Sequence, residues 1–178
     1  MNMSVEAGTD VEKATLLAYL REQRAAVLAI VEGLDEAALR ASVVPSGWSP
    51  IGLIWHLGGA EMYWFQIVLA DRVPDDDEHE DDDEDEPDGE APAEGFRTDD
   101  PIEEVLAAYR AQCRASDEVL ASVSLDAAPR GPVAPGHEEL ATSVRTIVLH
   151  MIEETARHAG HLDIARELLD GRTGLGPR

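Results

Sequence analysis

Residues 143–171 read SVRTIVLHMIEETARHAGHLDIARELLDG, and this stretch decides the fold. Val144, Ile147, Met151, Thr155, Leu162, Ala165 and Leu169 recur at the three- and four-residue spacings that put side chains on one face of an α-helix. Thr142 or Ser143 stands where an N-cap is wanted, because a short oxygen-bearing side chain there can accept from the free N–H groups of the first turn. Gly171 occupies the C′ position, where left-handed backbone ends a helix. A single-face helix of this length needs partners of the same kind.

The rest of the chain supplies them. Ser49-Pro50 is an N-cap followed by proline at the first helical position, and predicts a second long helix reaching about Ala70. Ile51, Ile54, Met62, Phe65 and Leu69 line one of its sides; Leu53, Leu57, Ala60, Trp64 and Ile67 line the other. A helix apolar nearly all round belongs in the middle of a bundle. Asp100-Pro101 repeats the starting device for a third helix to about Ser122, with Ile102, Val105, Leu106 and Tyr109 facing inward. Upstream, Leu17, Leu20, Val27 and Val31 predict a first helix from Val11 to Glu32, with Asp10 as N-cap and Gly33 as stop, then a short turn over 35–41. The Pro-, Gly- and Ala-rich segment 125–140 reads as loop, and no run alternates as a half-buried strand does. The expectation is an all-α fold, a four-helix bundle forming one domain over residues 1–178.

Charge narrows the partners. Of 37 acidic residues, 14 lie between Asp75 and Glu94, which hold no Lys or Arg, so the rest of the chain carries -9 of the formal -23. The run Asp75–Glu94 has almost nothing apolar to bury and repels itself; the expectation is a disordered loop insertion, and His79 within it is no ligand candidate. Neither figure suits a nucleic-acid backbone or an anionic membrane surface. The N-terminal residues lack the basic-then-apolar pattern of a signal peptide, and the apolar run 51–69 is broken by His56, Glu61 and Gln66, as in a buried helix rather than a membrane span. One cysteine, Cys113, excludes an internal disulfide and a cysteine-based metal cage, and suits a reducing compartment. With no acid or base identifiable beside it, Cys113 reads as a small buried apolar residue. A cytoplasmic location is the expectation.

Chemistry concentrates on two helices. His56 shares a stripe with Ala60, Tyr63 and Ile67, which predicts an inward ring, although such a histidine is commonly a hydrogen-bonded core residue. Gly58 and Gly59 each cost a helix about 1 kcal/mol relative to alanine, and therefore mark either close helix contact or space for a ligand. At 100° per residue, His150, Glu154, His158 and His161 fall within about 80° of one another at the edge of the apolar stripe. Glu154 and His158 can point at one ion; a Glu–His hydrogen bond on a half-exposed face is the competing reading. Adding His56 makes a His₂Glu set, the donor number of catalytic zinc sites that keep a position open. No GxSxG, Walker loop or dinucleotide glycine pattern is present.

These same segments, VPSGWSPIGLIWHLGGAEMYWF (44–65) and residues 143–171, supported by ATLLAYLREQRAAVLAIVEGL (14–34), resemble the DinB-like metal-binding four-helix-bundle superfamily. They are most similar to its mycothiol-dependent branch of maleylpyruvate isomerase and mycothiol S-transferase-like proteins. The resemblance implies metal ligation by His56 of the second helix and by the i, i+4 pair Glu154 and His158 of the last. That pair is His and His in many members, and Glu and His in the isomerase type. His161 stands where many relatives carry glutamine; the resemblance implies a catalytic role beside the ligands. The acidic run departs from the family pattern in length.

The activity implied is that of a divalent-metal-dependent thiol S-transferase. Zinc is expected first, with nickel, manganese or iron compatible with the same donors, and mycothiol is the thiol co-substrate. The partners are then a small-molecule thiol and an electrophile, with no nucleic acid and no membrane; a homodimer is compatible with all of this. Metal-assisted hydrolysis, isomerisation on the same site, and a non-catalytic metal-binding bundle are the alternatives.

Overall fold

The computed structural model describes residues 3–72 and 96–174; the acidic run and His79 lie outside the described residues. The elements are α1 (Met3–Val31), α2 (Glu36–Arg40), α3 (Pro50–Glu61), a π-helical continuation of α3 (Met62–Leu69), α4 (Ile102–Ala121) and α5 (Val144–Asp170). Among the described residues there is no strand. α1 packs along α5 and α3 along α4, while α3 also meets α5, so the four long helices close into a bundle with α3 reaching both pairs. No described helix is long and apolar enough to cross a membrane.

Most helix ends follow local chemistry. The Ser49 hydroxyl accepts from the Gly52 N–H at 3.2 Å, with Pro50 at the first helical position. Ser143 caps α5 reciprocally with Thr146, and Gly171 ends it at φ 77°. Asp35 caps α2 by accepting from the Ala38 N–H at 2.8 Å.

Three boundaries differ from expectation. α1 starts at Met3, so Asp10 lies inside the helix rather than at its cap. α4 begins at Ile102: Pro101 is extended (ψ 131°), its carbonyl accepts from the N–H groups of Glu104 and Val105, and the Asp100 side chain makes no cap. The predicted continuous second helix changes to π geometry after Glu61, so the 3.6-residue stripe drawn from His56 through Tyr63 to Ile67 loses its register. The free carbonyl of Val68 at the end of that segment accepts instead from the Arg130 and Gly131 N–H groups, tying the long loop onto it.

The core is in two parts. Leu20, Phe65, Leu120, Ile147 and Met151 belong to one apolar cluster; Val27, Ile54, Leu57, Tyr109 and Leu162 belong to the other. Between them every long helix contributes a buried polar residue: Arg24, Glu61, Ser116 and Thr155. Arg24 binds Glu61 bidentately, Nε to Oε1 at 2.7 Å and Nη2 to Oε2 at 2.6 Å, and reaches Asp117 with Nη1 at 2.9 Å. Arg166, also buried, donates through Nη1 to the carbonyls of Ile30 and Glu32, satisfying the exposed acceptors at the end of α1.

Gly52 has a specific task. A Cβ there would lie 1.8 Å from the Phe96 carbonyl oxygen, which also accepts from the Ser49 N–H at 3.2 Å. Gly52→Ala should therefore push the Phe96 segment off α3 and lower stability by about 1–3 kcal/mol, as overpacking does. A urea-denaturation midpoint equal to the parent's would show that the segment yields without cost.

Candidate metal centre

The helices described above bring three side chains together from two directions. His56 sits mid-way along α3, and Glu154 and His158 are one turn apart on α5. Glu154 Oε1 lies 3.1 Å from His56 Nε2 and 2.8 Å from His158 Nε2. One ligand atom from each of the three falls within 4.8 Å of the others. Among the described residues, no other such group of His, Cys, Asp or Glu converges this closely.

Burial is graded across the group. The side chains of His56, Glu154 and His158 are 31 %, 17 % and 8 % exposed, so the cluster is sealed at His158 and opens beside His56. Hydrogen bonding by His158, then by His56, outweighs burial and holds the Glu154 carboxyl well below the usual carboxylate range. Glu154 is thus an anion throughout neutral and mildly acidic solution. Arg157 lies 3.7 Å from its second oxygen, Oε2, leaving Oε1 to the two imidazoles.

The surroundings of the group come from α5 itself and from segments outside the two helices that carry it. Phe96 stands edge-on to His56 with ring centroids 4.6 Å apart, and 5.6 Å from His158. Sequence reading passed over Phe96; its only signal is that it is one of two phenylalanines in the chain. His161 places Nδ1 3.3 Å from His158 Nδ1 and has the Trp48 ring 6.0 Å away. Burial, then the charges of His158 and Arg157, lower the pKa of His161.

His150 is on the same helix but belongs elsewhere. Its ring packs 4.8 Å from that of Trp64, which also carries His137 at 5.4 Å, and it lies outside the three-residue group. Sharing a helical face with Glu154 is not enough, because His150 is a full turn nearer the N-terminus and side chains lean that way.

Cys113 supplies no second nucleophile. Burial first, then the Glu61 charge, pushes its thiol up to about 12. Iodoacetamide at pH 8 should leave the native protein unlabelled while modifying the urea-unfolded chain within minutes. Equal labelling rates in the two states would contradict this environment.

The family comparison follows the same residues. No curated protein and no solved structure matches the chain. A family model described as mycothiol-S-transferase matches residues 15–171, which include all of α2 to α5 and the three converging side chains. The chain therefore belongs to the mycothiol-S-transferase family, within the DinB-like group.

Proposed function

We propose that the protein is a metal-dependent mycothiol S-transferase in which His56, Glu154 and His158 hold one divalent ion, zinc before nickel, manganese or iron. The observation that carries this reading is the shared Glu154 Oε1, 3.1 Å and 2.8 Å from imidazole nitrogens of two different helices. Two neutral nitrogen donors and one carboxylate fit a borderline divalent cation, and the exposed His56 side leaves an approach for a further ligand. When bound, the ion would keep a thiol of ordinary pKa near 8.5 as its thiolate at neutral pH.

The chain's own residues do the rest. With Nε2 of His158 given to the centre, its proton stays on Nδ1 and donates to His161 Nδ1, fixing ring and tautomer. His161 is in this reading a positioning residue, itself backed by Trp48. Phe96 packs against both histidine rings and in this reading shields that side of the centre from bulk water. Glu154 stays ionised and offsets part of the ion's charge. In the transfer, the sulfur forms a bond to the electrophilic carbon while the leaving group departs with its bonding pair. The whole chain serves as one domain, and the unpaired Cys113 is consistent with a reducing, cytoplasmic setting.

The test is thiol turnover. Zinc-loaded protein given mycothiol and a chloromethyl fluorogenic electrophile should form the thioether well above the uncatalysed rate. A chelator should abolish that activity and added zinc restore it. Thioether formation that persists after complete metal removal, or zinc-loaded protein that leaves mycothiol unconsumed, would overturn the proposal. Substrate hydrolysis without added thiol would point to the water-using alternative.

A further inference from the structure

Gly59 is not explained by packing. It lies inside α3, where glycine weakens a helix relative to alanine, yet a Cβ built there meets no atom within 4 Å. Gly58 beside it would make only an ordinary 3.7 Å contact with the Tyr109 Cα. Both glycines line a cavity of about 460 Å³ between α3 and α4, a volume typical of small-ligand sites, and His56 stands at its edge. The pair keeps this space open where side chains would otherwise fill it.

The lining describes the occupant. Trp55, one residue before His56 and 47 % exposed, presents a broad apolar surface to solvent. Besides His56 and Tyr109, the polar residues lining the cavity are Asp100, Glu104 and Gln112, and among the described residues no Lys or Arg lines it. Ionised carboxylates only accept hydrogen bonds, so a complementary ligand brings several donors and no negative charge. A sugar or polyol does this: its hydroxyls donate to carboxylates while its C–H face lies on an indole. A thiol bearing free carboxylates, such as glutathione, meets like charge here.

We infer that the α3–α4 cavity is the subsite for the polyhydroxylated half of the thiol, the glucosaminyl-inositol that mycothiol carries on its cysteinyl group. The inference rests on the reading of the adjoining His56–Glu154–His158 centre as a mycothiol-transfer site. It assigns Gly59, Trp55 and Glu104 to thiol selection: the sulfur lies at the centre, and the neutral sugar extends from His56 across Gly59 toward α4.

Binding and turnover separate the two readings. The probe is thiol-free N-acetylglucosaminyl-inositol, whose acylated nitrogen is uncharged as it is in mycothiol, titrated into full-length zinc-loaded protein by calorimetry and as a competitor of mycothiol. Gly59→Leu fills the cavity without a steric neighbour, so it should keep or raise the thermal midpoint while weakening probe binding at least 10-fold. Trp55→Ala and Glu104→Lys should each raise KM for mycothiol, and leave turnover with N-acetylcysteine amide, an uncharged thiol that lacks the sugar, within two-fold of the parent. Undiminished probe affinity in folded Gly59→Leu, or equal losses with both thiols, would overturn the subsite. Probe binding that is lost in Gly59→Leu while the parent transfers no mycothiol would keep the subsite and sink the transferase reading instead.

Discussion

Arg24→Ala should cost about 3–5 kcal/mol of folding stability, the range found when one partner of a buried ion pair is removed. Arg24 is 5 % exposed and Glu61 0 %, and the two exchange a bidentate pair at 2.6 and 2.7 Å. Burial works against the Arg24 charge, and the Glu61 carboxylate more than compensates, raising its pKa. Without the guanidinium, a carboxylate is left with no cation and no solvent between two apolar clusters. The pair itself is not a large source of stability, since its desolvation nearly cancels its attraction. The double variant Arg24→Met with Glu61→Leu should accordingly recover most of the loss. Urea denaturation of the parent and the two variants measures this directly. A single-variant loss under about 1 kcal/mol, the size expected of an exposed pair, would mean that water reaches the layer.

This layer also marks where sequence reading stopped. Caps were legible because they are local: Ser49-Pro50, Ser143 with Thr146, and Gly171 each act on backbone within four residues. The inward faces of α1, α4 and α5 were legible because apolar spacing has one dominant period. Glu61 was visible only as an interruption in an apolar helix, and nothing local names Arg24, 37 residues earlier, as its partner. The π geometry after Glu61 was hidden for a related reason. No proline or insertion announces it, and the Val68 carbonyl near its end is satisfied by Arg130 and Gly131 from a distant loop.

The site divides along the same line. The i, i+4 spacing places Glu154 and His158 on one face of α5, and the structure brings His56 to them across the bundle. Phe96 reaches this place only because Gly52 lets backbone approach backbone, a contact with no sequence periodicity. The helical wheel treats His150 and His161 alike, whereas one packs on Trp64 and the other on His158. That difference gives each a separate experimental signature.

Substitutions at the proposed centre should separate ligands from neighbours with large effects. His56→Ala, Glu154→Gln and His158→Ala each remove one of three donors, and each should reduce bound zinc from about one equivalent per chain to a small fraction of it. Thioether formation should fall with the metal. Glu154→Gln is the most informative, because it preserves the side-chain volume and one acceptor oxygen while removing the charge. Far-ultraviolet circular dichroism should remain helical in all three, since the clusters on both sides of the centre are untouched. His150→Ala should keep its zinc, because that ring faces Trp64 rather than the shared carboxylate oxygen. His161→Ala removes the acceptor of the His158 Nδ1–H, and should weaken zinc binding or turnover by about 10- to 100-fold, as loss of such a partner does. His161→Gln restores an acceptor oxygen at that position and should recover most of the loss, whereas His161→Leu, which fills similar space without an acceptor, should not. Zinc content and turnover on the purified variants decide the matter. If His161→Gln strips the metal while Glu154→Gln keeps it, the ion is held by three histidines and Glu154 is a hydrogen-bond acceptor alone.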